Sequence, residues 1–172
     1  MIELNQHCGG DISQVQSVTL ECIPEMVQML NNPNPVTPLD AQLSLPYCAA
    51  VALVRGAVGL QDFSDGAIRN PEIAATIPMI HIVESTSLPD DAEPVVHVRF
   101  ANGESEVFTV PFAKGAPQNP LSLLEVKAKF DMLTARTLAP SGQARLFEII
   151  SHLESLDNVA TLEDHLRVDA TG

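Results

Sequence analysis

The chain has 172 residues, of which 45% are hydrophobic and 18% charged, and its formal net charge is -13. A chain of this length buries roughly 70% of the surface that its unfolded form exposes, so we expect one ordinary domain, or one domain with an appendage, rather than disorder. A surface this acidic repels phosphate backbones and anionic membranes, which argues against nucleic acid and membrane surfaces as partners.

Motifs for membrane insertion, secretion and metal binding are missing from the sequence. No apolar run approaches the ~20 residues that a membrane span needs, and no cationic segment followed by an apolar one begins the chain. The three cysteines, Cys8, Cys22 and Cys48, are odd in number and lack Cys-x-x-Cys spacing, so they indicate neither a disulfide framework nor a zinc site. We therefore predict a cytoplasmic protein without a metal ion.

The first elements along the chain are a helix end and a strand. Residues 2–8 have the pattern of the end of a helix that Gly9-Gly10 stops, so the sequence begins as if within a helix. Residues 15–22 alternate apolar and polar side chains with the period of a half-buried strand. A proline-rich loop, NNPNPVTP, follows.

Two helices are predicted on either side of Pro46. Thr37 and Asp40 flank Pro38 as an N-cap and its capping-box partner do, so a short helix should begin near Pro38. Pro46 interrupts the next apolar run because proline cannot continue the preceding hydrogen bonds. We expect a new helix to begin at Pro46 and to end at Gly56.

The middle of the chain is predicted to contain short helices and a hairpin. Ser64 and Asn70-Pro71 each match the start of a short helix, and residues 79–84 match a second strand. In VVHVRFANGESEVFTV, Asn102-Gly103 predicts a type I′ turn between two alternating strands. A two-residue loop pairs Arg99 with Glu106, and it leaves three apolar side chains on one face for burial: Val96, Val98 and Phe100.

From residue 120 onwards the pattern is helical only. Ser122 and Glu125 form a capping box before a helix that Pro140 should close. A second helix should run from about residue 142 to 156, and a short last helix should begin at Thr161. One stripe of the second helix is apolar and consists of Leu146, Ile149, Ile150 and Leu153.

These elements predict an α+β fold. Residues 1–113 should form a small mixed sheet with an Asn-Gly hairpin and packed short helices. Residues 114–172 should form a linker and a helical tail.

Tyr47, the chain's only tyrosine, directly follows Pro46. The first turn of a helix presents free amide groups that attract anions, so a phenol there can hold a carboxylate or donate a proton. The structural alternative is a tyrosine that anchors the start of the helix to the core, and the pattern alone favours this alternative. Cys48 is a candidate nucleophile on the same helix, but a small buried thiol is the commoner outcome at such a position.

The stretch TPLDAQLSLPYCAAVALVRGAVGLQDFSD resembles the MmgE/PrpD family, in which A-x-F-S-x-P-Y-x-x-A-x-A-L precedes G-x-V-G-L-x-x-F. This family comprises relatives of 2-methylcitrate dehydratase and cis-aconitate decarboxylase. Later elements are similar too, since residues 114–122 match its K-G-x-P-x-N-P-L-S connection into a helix with K-F. The resemblance covers essentially the whole chain, but it corresponds only to the C-terminal portion of a family member, as in a truncated protein.

The resemblance implies a lid-like role for residues 1–113 and a site that borders Tyr47. Family members have a large helical domain and a smaller α+β lid with the active site between them, and their C-terminal helices return to the helical domain. Tyr47 is then the implied catalytic residue, with Ser44 and Gln42 as implied substrate-binding neighbours. Leu43 stands where an aromatic residue is frequent. The family's catalytic aspartate, histidines and lysines lie in segments that precede this portion and have no counterpart in the sequence.

Two functions of different class follow from the resemblance. In the first, the chain is the lid part of a lyase or isomerase that dehydrates or decarboxylates di- or tricarboxylates such as 2-methylcitrate or cis-aconitate. It would act without a cofactor and would be inactive without a helical-domain partner. In the second, it is a non-catalytic fragment that serves as a binding or structural module. Since the C-terminal helices lack their family partner, we expect residues 120–168 to pack loosely or to form a homodimer.

Overall fold

The computed structural model of the chain describes residues 1–163. The chain divides into two compact units, Met1–Ala113 and Lys114–Gly172. The first unit contains a four-stranded mixed sheet with short helices, and the described part of the second is helical. The α+β class predicted from the sequence is confirmed.

The sheet has four strands: β1 (Val15–Cys22), β2 (Ile80–Glu84), β3 (Val95–Phe100) and β4 (Ser105–Phe108). Their spatial order is β2-β1-β3-β4. β1 lies parallel to β2 and antiparallel to β3, and β3 lies antiparallel to β4. The predicted alternation along β1 is confirmed, because three of its apolar side chains are buried while the residues between them are half-buried: Val18, Leu20 and Cys22.

The loop between β3 and β4 contains three residues, one more than the sequence predicts. Arg99 pairs with Ser105 instead of Glu106, and residues 101–103 form the loop. Gly103 has a φ of +89°, but Asn102 does not adopt the positive φ that a type I′ turn requires. The predicted turn type and pairing are therefore wrong. A three-residue loop with glycine in the left-handed position is the common alternative.

The first unit contains six α-helices, which are joined by short turns. They are α1 (Ile2–His7), α2 (Pro24–Leu30), α3 (Pro38–Gln42), α4 (Leu45–Arg55), α5 (Asp65–Ile68) and α6 (Pro71–Thr76). The predicted capping box of α3 is confirmed, because Asp40 N donates to Thr37 Oγ1 at 3.2 Å and Thr37 N donates to Asp40 Oδ2 at 2.9 Å. α2 carries no such signal, since its N-cap is Ile23, whose side chain cannot accept a hydrogen bond.

The core of the first unit lies between one face of the sheet and the helices α1, α4 and α6. α4 is buried along most of its length, from Pro46 to Leu53. Burying one Val, Leu or Ile side chain contributes about 1.5–3 kcal/mol, so this layer is the main source of stability. The sheet contributes Val15, Val18, Leu20, Val96, Val98 and Phe100, and the helices contribute Leu4, Tyr47, Val51, Leu53 and Ile73.

The second unit contains α7 (Leu123–Thr134) and α8 (Pro140–Ser151). The predicted capping box is confirmed, because Ser122 N donates to Glu125 Oε2 at 2.8 Å and Glu125 N donates to Ser122 Oγ at 3.3 Å. Pro140 begins α8, so the prediction that it closes the preceding helix is wrong. The first positions of a helix suit proline because an N–H is not needed there.

Side chains of α7 and α8 contact one another within the second unit. Gln143 Nε2 donates to the carbonyl oxygen of Asp131 at 2.7 Å and to Thr134 Oγ1 at 2.8 Å. The rings of Phe130 and Phe147 lie 5.4 Å apart. In the predicted apolar stripe Leu146 is buried, whereas Ile150 and Leu153 are exposed.

The end of the described chain is a 3-10 turn, Val159–Leu162, whose N-cap is Asn158. The helix predicted from Thr161 onwards falls largely outside the described residues. Within residues 1–163, no helix combines the length and the apolarity that crossing a bilayer requires.

Candidate functional site

Ser44 builds the N-terminus of α4. Its Oγ accepts a hydrogen bond from Tyr47 N at 3.1 Å and donates one to the carbonyl oxygen of Asn32. The side chain is fully buried. Ser44 is therefore the N-cap, and α4 begins at Leu45, one residue before the predicted start at Pro46.

The Tyr47 side chain points into the first unit and is 1% exposed. Its hydroxyl donates a hydrogen bond to the main-chain carbonyl oxygen of Asp62, and its ring lies 6.2 Å from the ring of Phe63. Burial raises the pKa of Tyr47 above its ordinary value, the Asp62 carboxylate raises it further, and Arg55 acts in the opposite direction. The phenol is consequently protonated at neutral pH.

The Asp62 carboxylate is the charged centre of the site and is 1% exposed. It pairs with Arg55, the last residue of α4, and accepts hydrogen bonds from Gly59 N at 2.8 Å and from Gln61 Nε2 at 3.4 Å. The turn that carries Asp62 is thereby tied to the end of α4 and to the tyrosine near its start.

The two halves of the motif that carries the family resemblance therefore meet in space. Ser44 and Tyr47 come from the first half, while Gly59, Asp62 and Phe63 come from the second. The polypeptide can fold back between them because α4 ends at a glycine in the left-handed conformation.

The structure brings two of the three predicted site residues together. Ser44 and Tyr47 are joined by a hydrogen bond, whereas Gln42 is exposed at the end of α3 and takes part in neither hydrogen bond of Ser44. Gln42 is thus the one of the three that a molecule in solution reaches directly. The catalytic role of Tyr47 and the substrate-binding roles of Ser44 and Gln42 stay predictions.

Arg55 and Asp62 were not predicted as members of the site. Asp62 gives a weak signal in the sequence, because it is a charged residue within the otherwise uncharged segment VGLQDF. An aspartate there is usually solvated, and no local pattern indicates that it is buried. Only the fold shows that an arginine seven residues earlier supplies the compensating charge.

Two of the surface cavities in the first unit border its helices. One of about 610 Å³ is bordered by the proline-rich loop, α6 and β2, and its polar side chains are Asn34 and His81. One of about 300 Å³ is mostly apolar and is bordered by α4, with Cys48 and Glu93 in its wall. Burial raises the pKa of the Cys48 thiol, which favours the structural alternative for this cysteine. Neither lining contains a lysine or arginine that could bind a carboxylate.

Metal ligands do not gather anywhere in the described part of the chain. Residues 1–163 hold no group of three or more His, Cys, Asp or Glu side chains that could bind a metal ion.

Comparison with known protein families identifies the chain. The MmgE/PrpD C-terminal domain matches residues 1–155, which is most of the sequence. The chain therefore belongs to the MmgE/PrpD family, and it corresponds to the C-terminal domain of that family. The resemblance predicted from residues 37–65 and 114–122 is confirmed. A search of curated protein sequences gives no match.

Proposed function

We propose that the chain is the lid and C-terminal part of an MmgE/PrpD-type lyase or isomerase of the cytoplasm. Its substrate would be a di- or tricarboxylate such as 2-methylcitrate or cis-aconitate, which it would help to dehydrate or decarboxylate without a cofactor. The observation that carries this proposal is the match of residues 1–155 to the family's C-terminal domain.

The isolated chain should be inactive, because neither of the two cavities described above is lined by the cations that this chemistry needs. Removing a proton next to a carboxylate takes a positioned base and cations that stabilise the developing negative charge. The chain has 9 lysines and arginines against 22 acidic residues, and Arg55 already pairs with Asp62. A helical-domain partner would supply the base and the cations.

Within such a complex, Tyr47 would serve as a hydrogen-bond donor or acid rather than as a base. Its protonated phenol suits that role, provided that the hydroxyl exchanges the Asp62 carbonyl for a substrate oxygen. Ser44 would act by fixing the first turn of α4, and the exposed amide of Gln42 would contact the substrate.

The second candidate function, a non-catalytic binding or structural module, is favoured by one specific observation. Ser44 and Tyr47 are both buried, and both use their hydroxyl groups in bonds to main-chain atoms of the same unit. This is the arrangement expected of a tyrosine and serine that stabilise the fold.

A reconstitution experiment separates the two candidates. The full chain is mixed with the helical domain of an MmgE/PrpD protein, and turnover of 2-methylcitrate and of cis-aconitate is measured for each component and for the mixture. We expect turnover only in the mixture, and we expect Tyr47→Phe to lower it by a factor on the order of 100 or more. Ser64→Ala, an exposed helix cap, is the control and should retain full turnover.

Two results would contradict the enzymatic proposal. Turnover in the mixture that Tyr47→Phe leaves unchanged would assign Tyr47 to the fold and favour the second candidate. Turnover by the chain alone would place the active site elsewhere in these 172 residues.

We also propose that the helical tail uses its exposed apolar side chains to contact either the helical domain or a second copy of the chain. Four of them are Leu123, Leu124, Ile150 and Leu153, and Leu124 is 81% exposed. Sedimentation of the chain alone should detect a dimer, and sedimentation with the helical domain should detect a mixed complex. A monomer under both conditions would contradict this proposal.

A further inference from the structure

On the basis of the function proposed for Tyr47, we propose that Asp62, held in place by Arg55, is a positioning residue for Tyr47. Asp62 fixes the turn whose carbonyl oxygen accepts the phenol hydrogen bond, and it thereby keeps Tyr47 oriented as a donor. Neither Asp62 nor Arg55 would touch the substrate.

The position of the acceptor is determined by the Asp62 side chain. Arg55 and the main-chain amide of Gly59 bind its carboxylate from two directions, and Gln61 adds a longer contact. A buried carboxylate that leaves its partners becomes an uncompensated charge, which is strongly unfavourable. The main chain of residue 62 therefore stays where the side chain holds it, and its carbonyl oxygen stays in front of the phenol.

The position of the donor, the Tyr47 phenol, is fixed by contacts with Ser44 and Phe63. The Ser44 cap binds the amide of Tyr47 and holds the first turn of α4. Phe63, which directly follows Asp62, packs its ring against that of Tyr47 at an interplanar angle of 51°. The phenol is thus directed towards the turn that Asp62 holds.

A neutral carbonyl acceptor keeps the proton on the phenol. The Asp62 carboxylate nearby disfavours the phenolate as well, which agrees with the raised pKa of Tyr47. A carboxylate is a stronger acceptor than a carbonyl group, so a substrate carboxylate brought by the partner domain can take over the same hydrogen bond. The cluster of Arg55, Asp62 and Tyr47 would then supply a donor or acid and never a base.

The sequence offers a direct readout, because Tyr47 is the only tyrosine and the chain has no tryptophan. Ultraviolet absorbance of the full chain therefore follows the ionisation of Tyr47 alone. We expect the titration midpoint of the wild-type chain to lie above the ordinary value of about 10. Asp62→Asn should lower the midpoint because it removes a negative charge. Arg55→Met should raise it because it removes the opposing positive charge.

Two further variants serve as controls. Asp11→Asn makes the same chemical change in an exposed cap of a 3-10 turn and should leave the midpoint at the wild-type value. Arg55→Lys keeps the cation, so its midpoint should stay closer to wild type than that of Arg55→Met. Arg55→Lys is also the milder substitution to use if Asp62→Asn or Arg55→Met fails to fold, as judged by circular dichroism at the same pH.

Turnover in the reconstituted complex is the second readout. Asp62→Asn should lower kcat by a factor on the order of 10 to 100 while KM changes little, because the donor is misplaced and substrate binding is not. A purely structural role of Asp62 would lower the amount of active complex and leave the pH profile of kcat unchanged.

The two readouts distinguish failure of this inference from failure of the proposed function. Folded Asp62→Asn and Arg55→Met proteins whose Tyr47 midpoints equal that of the wild type would overturn the positioning role, whatever the turnover. Shifted midpoints together with full turnover of Tyr47→Phe in the complex would leave the positioning of Tyr47 standing and overturn its catalytic role.

Discussion

Asn5 binds the end of α4 at the point where Gly56 terminates the helix. Its Nδ2 donates to the carbonyl oxygen of Leu53 at 2.7 Å, and its Oδ1 lies 2.6 Å from the position that a Cβ atom on residue 56 would occupy. Gly56 has a φ of +68°, which glycine adopts at little cost. Gly56 thus ends α4, and because it has no side chain it leaves room for Asn5, which links α1 to α4.

Gly56→Ala should therefore destabilise the chain more than Gly103→Ala does. Both glycines have positive φ, but no heavy atom lies within 4 Å of the Cβ position of Gly103. A left-handed alanine costs about 1–2 kcal/mol, and loss of the Asn5 hydrogen bond adds about 1 kcal/mol at position 56 only. Urea unfolding measures both free energies. In an Asn5→Ala background the two alanine variants should cost nearly the same, and a persistent difference would contradict this explanation.

Removal of the charge of Arg55 should destabilise the chain more than removal of the charge of Asp62. Arg55→Met leaves a carboxylate that is 1% exposed without its cation, and breaking a buried pair in this way costs about 3–5 kcal/mol. Asp62→Asn leaves a guanidinium that is 36% exposed and can be hydrated, so we expect only about 1–2 kcal/mol. Unfolding of the two variants and of the double variant provides the measurement. If Asp62→Asn lowered the free energy of unfolding more than Arg55→Met does, burial of the carboxylate would not determine the cost of breaking the pair.

Ser44→Ala should destabilise the first unit more than Ser64→Ala does, although both serines are helix N-caps. Ser44 is fully buried and also binds the carbonyl oxygen of Asn32, which its loss would leave without that donor. We expect about 2–3 kcal/mol for Ser44 and about 0.5–1 kcal/mol for the exposed Ser64, from the usual cost of a lost cap and of a buried unsatisfied group. Equal losses in thermal or urea unfolding would mean that the Asn32 contact contributes nothing.

Glu125 should make the stability of α7 sensitive to acid. Hydrogen bonds from the main chain and hydroxyl of Ser122, followed by the contact with Lys114, lower the pKa of Glu125 from 4.5 to about 2. Because the pKa in the folded protein lies below the unfolded one, this stabilising contribution is complete above about pH 4.5 and is lost as the pH falls through about 2. Nuclear magnetic resonance titration of the Glu125 carboxyl should give that value, and Ser122→Ala should raise it. A midpoint near 4.5 in both proteins would contradict the capping box.

The elements that the sequence predicts correctly depend on neighbouring residues. The capping boxes at Thr37 and Ser122 and the strand at residues 15–22 are visible in windows of a few residues. Where two local outcomes have similar energy, the prediction fails. Asn102-Gly103 suits a two-residue or a three-residue loop, and Pro140 suits the end of one helix or the start of the next.

The sequence alone predicts the α+β class, the order of most helices and strands, the buried faces of β1 and β3, and membership of the family. These properties follow from side-chain periodicity, from helix caps and from a distinctive motif, all of which are local along the chain. Three relationships are visible in the structure alone: β1 lies between β2 and β3, Tyr47 is buried, and Asp62 pairs with Arg55. These relationships depend on how much surface and charge are buried when segments distant in the sequence pack together. No single stretch of the sequence contains that information.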